Sequence, residues 1–313
     1  MGVKHLNKFL RMNTTEAVIK THLEHLSGWV VAIDTSNYLY RFAKSGSMIH
    51  GLYNMINTLR RYEIVPIFVM DGPPPPEKKT IINERRKARY DALEKYKKLR
   101  DGVSISGNRV NYTTMREYKM NSTYVSRNDI MNAITLMDLM GVNYVKAKGE
   151  ADQLCSLLTI KGIAHACMSE DMDMFIYGTN TILRYLSLVN ENVVIYDYNT
   201  ILRELDIPKY DFTSICILSG TDYNKEYKYD DVISVFDIMH IYDQYRKNGT
   251  TSSFVKWAPL YSHNIQSIDI GLFNQIIANY DIGNHDIPDV TLKPNKAIRN
   301  VGEIVDFMNK CVK

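Results

Sequence analysis

Carboxylates are concentrated in one stretch of this 313-residue sequence. Five of them lie within 24 residues, namely Glu150, Asp152, Glu170, Asp171 and Asp173. The residues between them are mostly apolar and predict a helix followed by a buried strand, so the acids would lie at the ends of these elements, beside a core. Two carboxylates about 4 Å apart repel by about 4 kcal/mol at an effective dielectric constant of about 20, so such a cluster requires cations or bound protons. The spacing therefore favours a site for hard divalent cations.

Further acids follow apolar elements elsewhere in the chain. Residues 29 to 33 and 65 to 70 are apolar runs of strand length, followed by Asp34 and Asp71, and Asp222 follows an apolar helical pattern. The helical patterns between the strands predict parallel pairing, and open α/β sheets bind ligands at the carboxyl ends of their strands. An aspartate after a strand can also simply cap the next helix, and for either strand alone this alternative stays open. Considered together with the acidic cluster, the two aspartates are better explained as metal ligands than as helix caps.

A strongly basic segment follows the second strand. The prolines at 73 to 76 end that part of the fold, and residues 78 to 100 then show a helical pattern with ten Lys or Arg against three Asp or Glu, a local charge of +7 in a chain of +3. Pairs at helical spacing are typical of a solvated surface helix, but they leave the surplus unexplained. The surplus favours contact with phosphates. Residues 101 to 125 are polar and predict a flexible insertion that continues this helix.

The remaining pattern predicts an α/β fold with a mostly parallel sheet flanked by helices, a basic helical insertion and a C-terminal helical part. Residues 3 to 26 predict one or two short helices, and residues 142 to 145 a third strand. Residues 181 to 188 and 193 to 196 predict a hairpin at the sheet edge. A helix begins after Ser126 and ends at Gly141, and further helices are expected at 199 to 205, 211 to 220, 231 to 246, 268 to 280 and 301 to 313. Four segments follow, at residues 1–72, 73–125, 126–224 and 225–313.

Cysteine use and hydropathy indicate a soluble intracellular protein. The four cysteines show neither a C-x-x-C pair nor zinc-like spacing, which predicts buried free thiols in a reducing compartment. No apolar window of about 18 residues predicts a membrane span. Leu6 stands where a myristoylation motif requires Ser or Thr, so we expect no lipid anchor.

Six stretches in the same order resemble the flap endonuclease/XPG family of structure-specific 5′ nucleases, most of all its poxvirus-encoded member. They are MGVKHLNKFL, VAIDTSNYLYRF, FVMDGPPPPEKK, VKAKGEADQLCSLL, MSEDMDMF and ILSGTDYN, spread over most of residues 1 to 224. The resemblance implies a PIN-like nuclease core that hydrolyses 5′-flap or branched DNA in replication, recombination or repair. For a poxvirus protein it also implies the host-cell cytoplasm.

The resemblance implies a ligand set of seven acids for two Mg²⁺ ions, with Mn²⁺ as a substitute. The seven are Asp34, Asp71, Glu150, Asp152, Asp171, Asp173 and Asp222. The placement of acids at the ends of elements had indicated the same residues. Glu170 falls outside the set. Paired magnesium ions would activate a water molecule as nucleophile and stabilise the leaving oxygen of a phosphodiester.

The same resemblance implies contacts with DNA. The catalytic residues would be Asp171, which is also a metal ligand, together with Lys78 and Arg85. Lys78 and Arg85 are seven residues apart, so they would contact the scissile phosphate from one face of the basic helix. Plain surface charge is the alternative for Lys78. Residues 101 to 125 match the family's mobile arch. The expected DNA contacts are Gly2, Tyr40, Lys78, Lys79, Arg85, Arg86 and Arg89. Tyr40 would stack on a base, and packing in the core is its open alternative.

Two departures from the family pattern bear on partners. After Asp222 the family continues into a G-x-G-P-K-x-A motif that binds duplex DNA through a potassium ion, and residues 223 to 230 lack it, so a potassium site is doubtful. A sliding-clamp peptide of the Q-x-x-L/I-x-x-F-F type is not present either. Neither the preferred branched DNA nor the oligomeric state follows from the sequence.

Two other functions stay open. One is a nucleic-acid-binding scaffold that has lost turnover, against which the retention of all seven acids argues. The other is a PIN-type ribonuclease, against which the basic insertion and the N-terminal match argue.

Overall fold

The structure is a computed structural model that describes residues 3–106, 112–223, 234–261, 265, 269–288 and 300–311. Its strands are β1 (Val18–His22), β2 (Val30–Asp34), β3 (Val65–Met70), β4 (Asn143–Lys146), β5 (Ala166–Met168), β6 (Thr181–Ser187) and β7 (Asn192–Asp197). Its helices are α1 (Leu6–Asn13), α2 (Thr35–Lys44), α3 (Met48–Arg61), α4 (Lys79–Ser106), α5 (Tyr112–Asn121), α6 (Arg127–Met140), α7 (Ala151–Ile160), α8 (Asp173–Tyr177), α9 (Tyr198–Leu205), α10 (Lys209–Leu218), α11 (Val235–Asn248), α12 (Phe254–Tyr261), α13 (Ile270–Tyr280) and α14 (Val301–Cys311). Short 3₁₀ turns occupy Leu23–Leu26 and Pro76–Lys78.

The strands form one sheet in the order β1-β7-β6-β5-β2-β3-β4. Neighbours from β6 to β4 are parallel, whereas β7 runs antiparallel to both β6 and β1. The expected α/β fold with a mostly parallel sheet is therefore confirmed. Because β2, β3 and β5 are adjacent and parallel, their carboxyl ends meet at the same edge of the sheet, where Asp34 ends β2 and Asp71 follows β3.

Helices cover both faces of the sheet. Because side chains alternate along a strand, Ala32 and Ile67 belong to one core cluster, whereas Ile33 and Phe68 belong to the other. The first cluster lies under α1 and α7 to α13, and the second under α2, α3, α6 and α14. Burial on both faces explains why β2 and β3 are nearly unbroken apolar runs in the sequence.

The prediction for residues 3 to 26 was wrong in part. The first helix is present as α1, but residues 18 to 22 form β1, in which Val18 pairs with Tyr196 and Ile19 with Ile195. The apolar spacing in this segment also fits a helix, and the segment forms a strand because it pairs with β7, which is distant in the sequence. The hairpin of β6 and β7 is confirmed, but its predicted place at the sheet edge is wrong because β1 covers β7.

The insertion contains more regular structure than its polar sequence indicated. The basic helix α4 runs to Ser106, and α5 packs against it, whereas residues 107–111 lie outside the described part. Arg89 lies over the ring of Tyr124 at 4.5 Å, and Lys95 over that of Tyr118 at 5.6 Å. Arg89 precedes Lys95 in the sequence, whereas its partner Tyr124, just after α5, follows Tyr118, so α4 and α5 run antiparallel.

The expected ends of α6 are confirmed. Ser126 caps α6 in a reciprocal hydrogen-bonded box with Asp129, and Gly141 ends the helix at φ 62°. The helices expected near 240, 274 and 306 are α11, α13 and α14, while α12 was not predicted. All four cysteines are free, three buried and Cys311 partly exposed. Across the described ranges, we find no helix with both the length and the apolar character to span a bilayer.

Candidate active site

Asp34 joins the end of β2 to the start of α2. Its carboxylate accepts hydrogen bonds from the Asn37 backbone N–H at 3.3 Å, the Asn37 amide at 3.0 Å and the Ser169 hydroxyl at 3.0 Å. Asp34 thus caps the helix, and it also faces the loop after β5. The side chain is buried, and this burial, with the nearby charge of Asp71, raises its pKa to about 6.

Asp71 ties the end of β3 to the start of α7. One oxygen accepts from the Ala151 backbone N–H at 2.9 Å, and the other accepts from the Ser36 hydroxyl. Next to it, the Gly72 N–H donates to the Gly149 carbonyl at 2.7 Å. A Cβ on Gly72 would overlap the Ala147 carbonyl oxygen and lie 2.8 Å from that of Gly149, so only glycine permits this approach. The contact places Asp71 beside the acids of α7.

Glu150 precedes α7 and holds a buried lysine. Lys78 Nζ donates to both Glu150 oxygens, at 2.8 and 2.6 Å, and lies 4.7 Å from the centre of the Tyr223 ring. The Tyr223 hydroxyl donates to Glu150 at 3.2 Å. Burial alone lowers the pKa of Lys78, but the charges of Asp152 and Glu150 outweigh it and raise that pKa above its usual value. Surface charge, the alternative for Lys78, is wrong because the residue is 6% exposed.

Three more acids lie around this pair. Asp152, in the first turn of α7, and Asp173, which begins α8, are buried, whereas Asp171 is half-buried. Burial and the charge of Glu150 raise the pKa of Asp152 well above its usual range. Burial and the charge of Asp171 raise the pKa of Asp173 to about 7. Each of these acids therefore experiences the negative charge of its neighbours.

Asp222, after α10, completes the predicted acidic set. It is buried, accepts a hydrogen bond from Arg85 on α4, and contributes to the raised pKa of Asp173. Lys78 and Arg85 were predicted to share one face of the basic helix, and this stays a prediction, because only Arg85 lies within α4 itself. Lys78 ends the 3₁₀ turn before α4, because the proline run turns the chain there. Both cations nevertheless reach the acids.

The hydrogen bonding of the acids bears on whether they could hold a cation. No three of the described His, Cys, Asp or Glu side chains are grouped as a ready-made metal site. Several carboxylates are bonded instead to Lys78, Arg85 or hydroxyl groups. Asp173 Oδ1 is different, since it is buried and has no hydrogen-bond partner among the described residues. A cation would satisfy this oxygen and lower the mutual repulsion, so the donor set fits hard divalent cations.

The other predicted contacts on the basic helix lie outside this acidic group. Lys79 and Arg86 are exposed, and Arg89 is half-buried against the Tyr124 ring. No carboxylate bond to these three side chains is found in the described part. They form a basic surface next to the acids.

Of the two remaining predicted DNA contacts, Tyr40 lies in the described part of the chain and Gly2 does not. Tyr40 is 37% exposed, so the alternative that it packs in the core is wrong, whereas Tyr38 of the same helix is buried. Gly2 lies outside the described residues, as do residues 224 to 230, where a potassium site was doubtful.

Sequence reasoning missed several side chains that orient the acids. Ser36, Asn37 and Ser169 bond to Asp71 and Asp34, and their places beside acid-ending strands could have indicated them. The Tyr280 hydroxyl donates to Asp173 at 3.1 Å from a segment to which the sequence assigned no chemistry.

Glu170 differs from the seven acids. Its side chain accepts from the Tyr185 backbone N–H at 2.8 Å and lies 3.8 Å from Arg184 Nε. It therefore fastens the loop after β5 to β6.

Comparison with known proteins gives a consistent result. A family model described as the XPG N-terminal domain matches residues 1–92, and one described as the XPG I-region matches residues 141–222. Flap endonuclease 1 of Meyerozyma guilliermondii is 28% identical over 276 residues, which cover 82% of this chain and 70% of that protein.

Solved structures show the same fold. The catalytic core of Rad2 in complex with DNA substrate gives a TM-score of 0.69 at 21% identity, over 99% of this chain and 95% of that one. Human GEN1 in complex with Holliday junction DNA gives a TM-score of 0.63 at 18% identity, and the match covers 94% of this chain and 70% of that one.

Proposed function

Because the chain belongs to the flap endonuclease/XPG family of structure-specific DNA nucleases, we propose that it cleaves 5′-flap or branched DNA with two divalent cations. The observation that supports this proposal best is the buried, unpartnered Asp173 Oδ1 within a group of mutually repelling acids. A scaffold without turnover would have no need to retain such a costly arrangement.

The cations would be two Mg²⁺ ions, with Mn²⁺ as a substitute. The residues that would hold them are Asp34, Asp71, Glu150, Asp152, Asp171, Asp173 and Asp222. When bound, the metals would supply an activated water and stabilise the leaving oxygen of the phosphodiester. Carboxylates that retain some water are the usual environment for Mg²⁺.

Lys78 and Arg85 supply positive charge at this site. In the structure, Lys78 neutralises Glu150 and Arg85 neutralises Asp222. If these carboxylates were bound to metal, both side chains would be free to contact the scissile phosphate. Ser36, Asn37 and Ser169 keep Asp71 and Asp34 in fixed orientations during this exchange.

The DNA would lie against the basic helix pair. Lys79, Arg86 and Arg89 would supply phosphate contacts along α4, and Tyr40 would supply an exposed ring for a base. Gly2, outside the described residues, is a further proposed contact. The fold is shared with Rad2 and GEN1 structures that contain DNA, which supports a branched substrate. Potassium binding and a sliding-clamp partner are not included in the proposal.

The wider setting follows from the resemblance. Segments 1–72 and 126–224 would form the nuclease core, 73–125 the arch, and 225–313 a helical support. The activity would serve replication, recombination or repair, and the similarity to a poxvirus member favours the host-cell cytoplasm.

The test is a cleavage assay on labelled 5′-flap, nicked, junction and single-stranded DNAs, with Mg²⁺ or EDTA. We expect the wild type to cut in Mg²⁺ only and Asp171→Ala not to cut. Equal products from both proteins, or cleavage that survives EDTA, would refute the metal mechanism. A wild type that binds DNA without cutting it would favour the scaffold, and a preference for RNA would favour the ribonuclease.

A second variant separates the cations from the ligands. Lys78→Ala/Arg85→Ala should cleave slowly and still bind divalent cations, because it retains all seven acids. Unchanged cleavage rates would remove the proposed role of Lys78 and Arg85.

A further inference from the structure

Tyr280 links the C-terminal helices to the acidic site. It ends α13, is 4% exposed, and its hydroxyl donates to Asp173 Oδ2 at 3.1 Å across 107 positions of sequence. All six stretches that resemble the nuclease family lie before residue 225, so Tyr280 lies outside them.

We propose that Tyr280 is a positioning residue that fixes Asp173 through Oδ2 and leaves Oδ1 directed at a cation. By this contact the C-terminal helical segment completes the metal site, in addition to supporting the fold. The inference rests on the proposed function, since it requires that the acids bind divalent cations.

The bonding of Asp173 favours this role over a purely structural one. A buried carboxylate normally satisfies both oxygens with donors, because an unsatisfied oxygen costs about 1–3 kcal/mol. Here Oδ2 has the tyrosine, whereas Oδ1 has no partner in the described part of the chain. Ligating carboxylates are commonly oriented in this way, by an outer group that bonds to one oxygen.

The position of the Tyr280 ring is itself well determined. Its centre lies 5.0 Å from that of Tyr177 and 5.4 Å from that of Tyr223, the second at an interplanar angle of 85°. Tyr223 in turn donates to Glu150. The contact with Tyr223 is edge-to-face and that with Tyr177 is tilted at 54°, and the buried ring packed between them gives the hydroxyl little freedom to leave Asp173. One tyrosine cluster therefore reaches two of the proposed ligands.

The experiment compares Tyr280→Phe with Tyr242→Phe. Tyr242, on α11, is also buried and donates to a carboxylate, Asp211, at 2.8 Å, but that aspartate is not among the seven acids. Both variants keep their rings and lose one Tyr–Asp hydrogen bond. Thermal unfolding checks that both proteins remain folded, and Ca²⁺ binding is measured by calorimetry without DNA. Single-turnover cleavage is measured against Mg²⁺ concentration.

We expect Tyr280→Phe to bind Ca²⁺ about 10–100-fold more weakly and to require more Mg²⁺ for cleavage, because outer partners of metal ligands typically have effects of this size. Its KM for DNA should stay close to the wild-type value, and Tyr242→Phe should match the wild type throughout.

Two results would overturn the inference alone. One is a Tyr280→Phe protein with wild-type Ca²⁺ affinity and Mg²⁺ dependence. The other is an equal loss in Tyr242→Phe, which would indicate a general effect of removing a buried tyrosine bond. A wild type that neither binds Ca²⁺ nor cleaves DNA would instead refute the proposed function, and this inference with it.

Discussion

Replacing Lys78 by methionine tests the charge balance of the acidic site. The substitution Lys78→Met keeps the length of the side chain and removes its charge, so Glu150 and Asp152 lose the cation that neutralises them. The matched variant is Arg85→Met, which removes the cation bonded to Asp222. The two variants differ mainly in the exposure of the removed charge.

The expected size of the effect follows from that exposure. In the Lys78–Glu150 pair the side chains are 8% and 18% exposed, and removing one partner from a buried pair costs about 3–5 kcal/mol. Methionine fills part of the space, so we expect the lower end, about 3 kcal/mol. The Arg85 side chain is 45% exposed, and solvent screening limits the contribution of such a pair to about 1 kcal/mol or less.

The assay is urea unfolding in EDTA and again in Mg²⁺. Lys78→Met should be the less stable variant in EDTA, and Mg²⁺ should reduce its deficit because a cation then replaces the lysine at Glu150. Lys97→Met, which breaks an exposed pair with Glu94, serves as the neutral control. The reasoning fails if Arg85→Met is destabilised as much as Lys78→Met, or if Mg²⁺ leaves the deficit unchanged.

Three further predictions follow from single observations. Burial raises the pKa of Asp34 to about 6 and that of Asp173 to about 7, so the folded protein retains protons that the unfolded chain releases near pH 4. The free energy of unfolding in EDTA should therefore fall as the pH rises from about 4 to 7, and Asp34→Asn should make this fall smaller. A free energy of unfolding that rises over this pH range would contradict the prediction. Gly72→Ala should cost about 1–3 kcal/mol in urea unfolding and weaken Ca²⁺ binding, because its Cβ would overlap the carbonyl oxygens of Ala147 and Gly149. Gly149→Ala, whose Cβ makes only an ordinary contact, should be tolerated, and equal effects of the two substitutions would reject this explanation. Arg89→Ala should weaken binding of flap DNA and reduce the slope of log affinity against log salt by about 1, and an unchanged slope would exclude a phosphate contact.

The acid-ending strands could be predicted because their signal is local. β2 and β3 are buried on both faces, so each is an unbroken apolar run, and Asp34 and Asp71 stand out at the ends. The parallel arrangement then places these ends together. The positions of Glu150 and Asp173 at the ends of elements could be predicted in the same way, because short apolar elements lie beside both residues.

Other features depend on contacts between distant parts of the chain. β1 is defined by pairing Val18 with Tyr196, which no local periodicity reveals. Lys78 was expected on the basic helix as a contact to phosphate, but it ends the turn at Pro76–Lys78 and bonds to Glu150 instead. Tyr280 carries no local pattern of a site residue, and only the packing of α13 brings it to Asp173.

The most direct measurement of the central claim is anomalous diffraction from crystals soaked in Mn²⁺. The account predicts two manganese peaks bordered by the seven acids, one of them at Asp173 Oδ1, with Lys78 moved away from Glu150. A soak that leaves these carboxylates without manganese, with Lys78 still bonded to Glu150, would contradict the two-metal site.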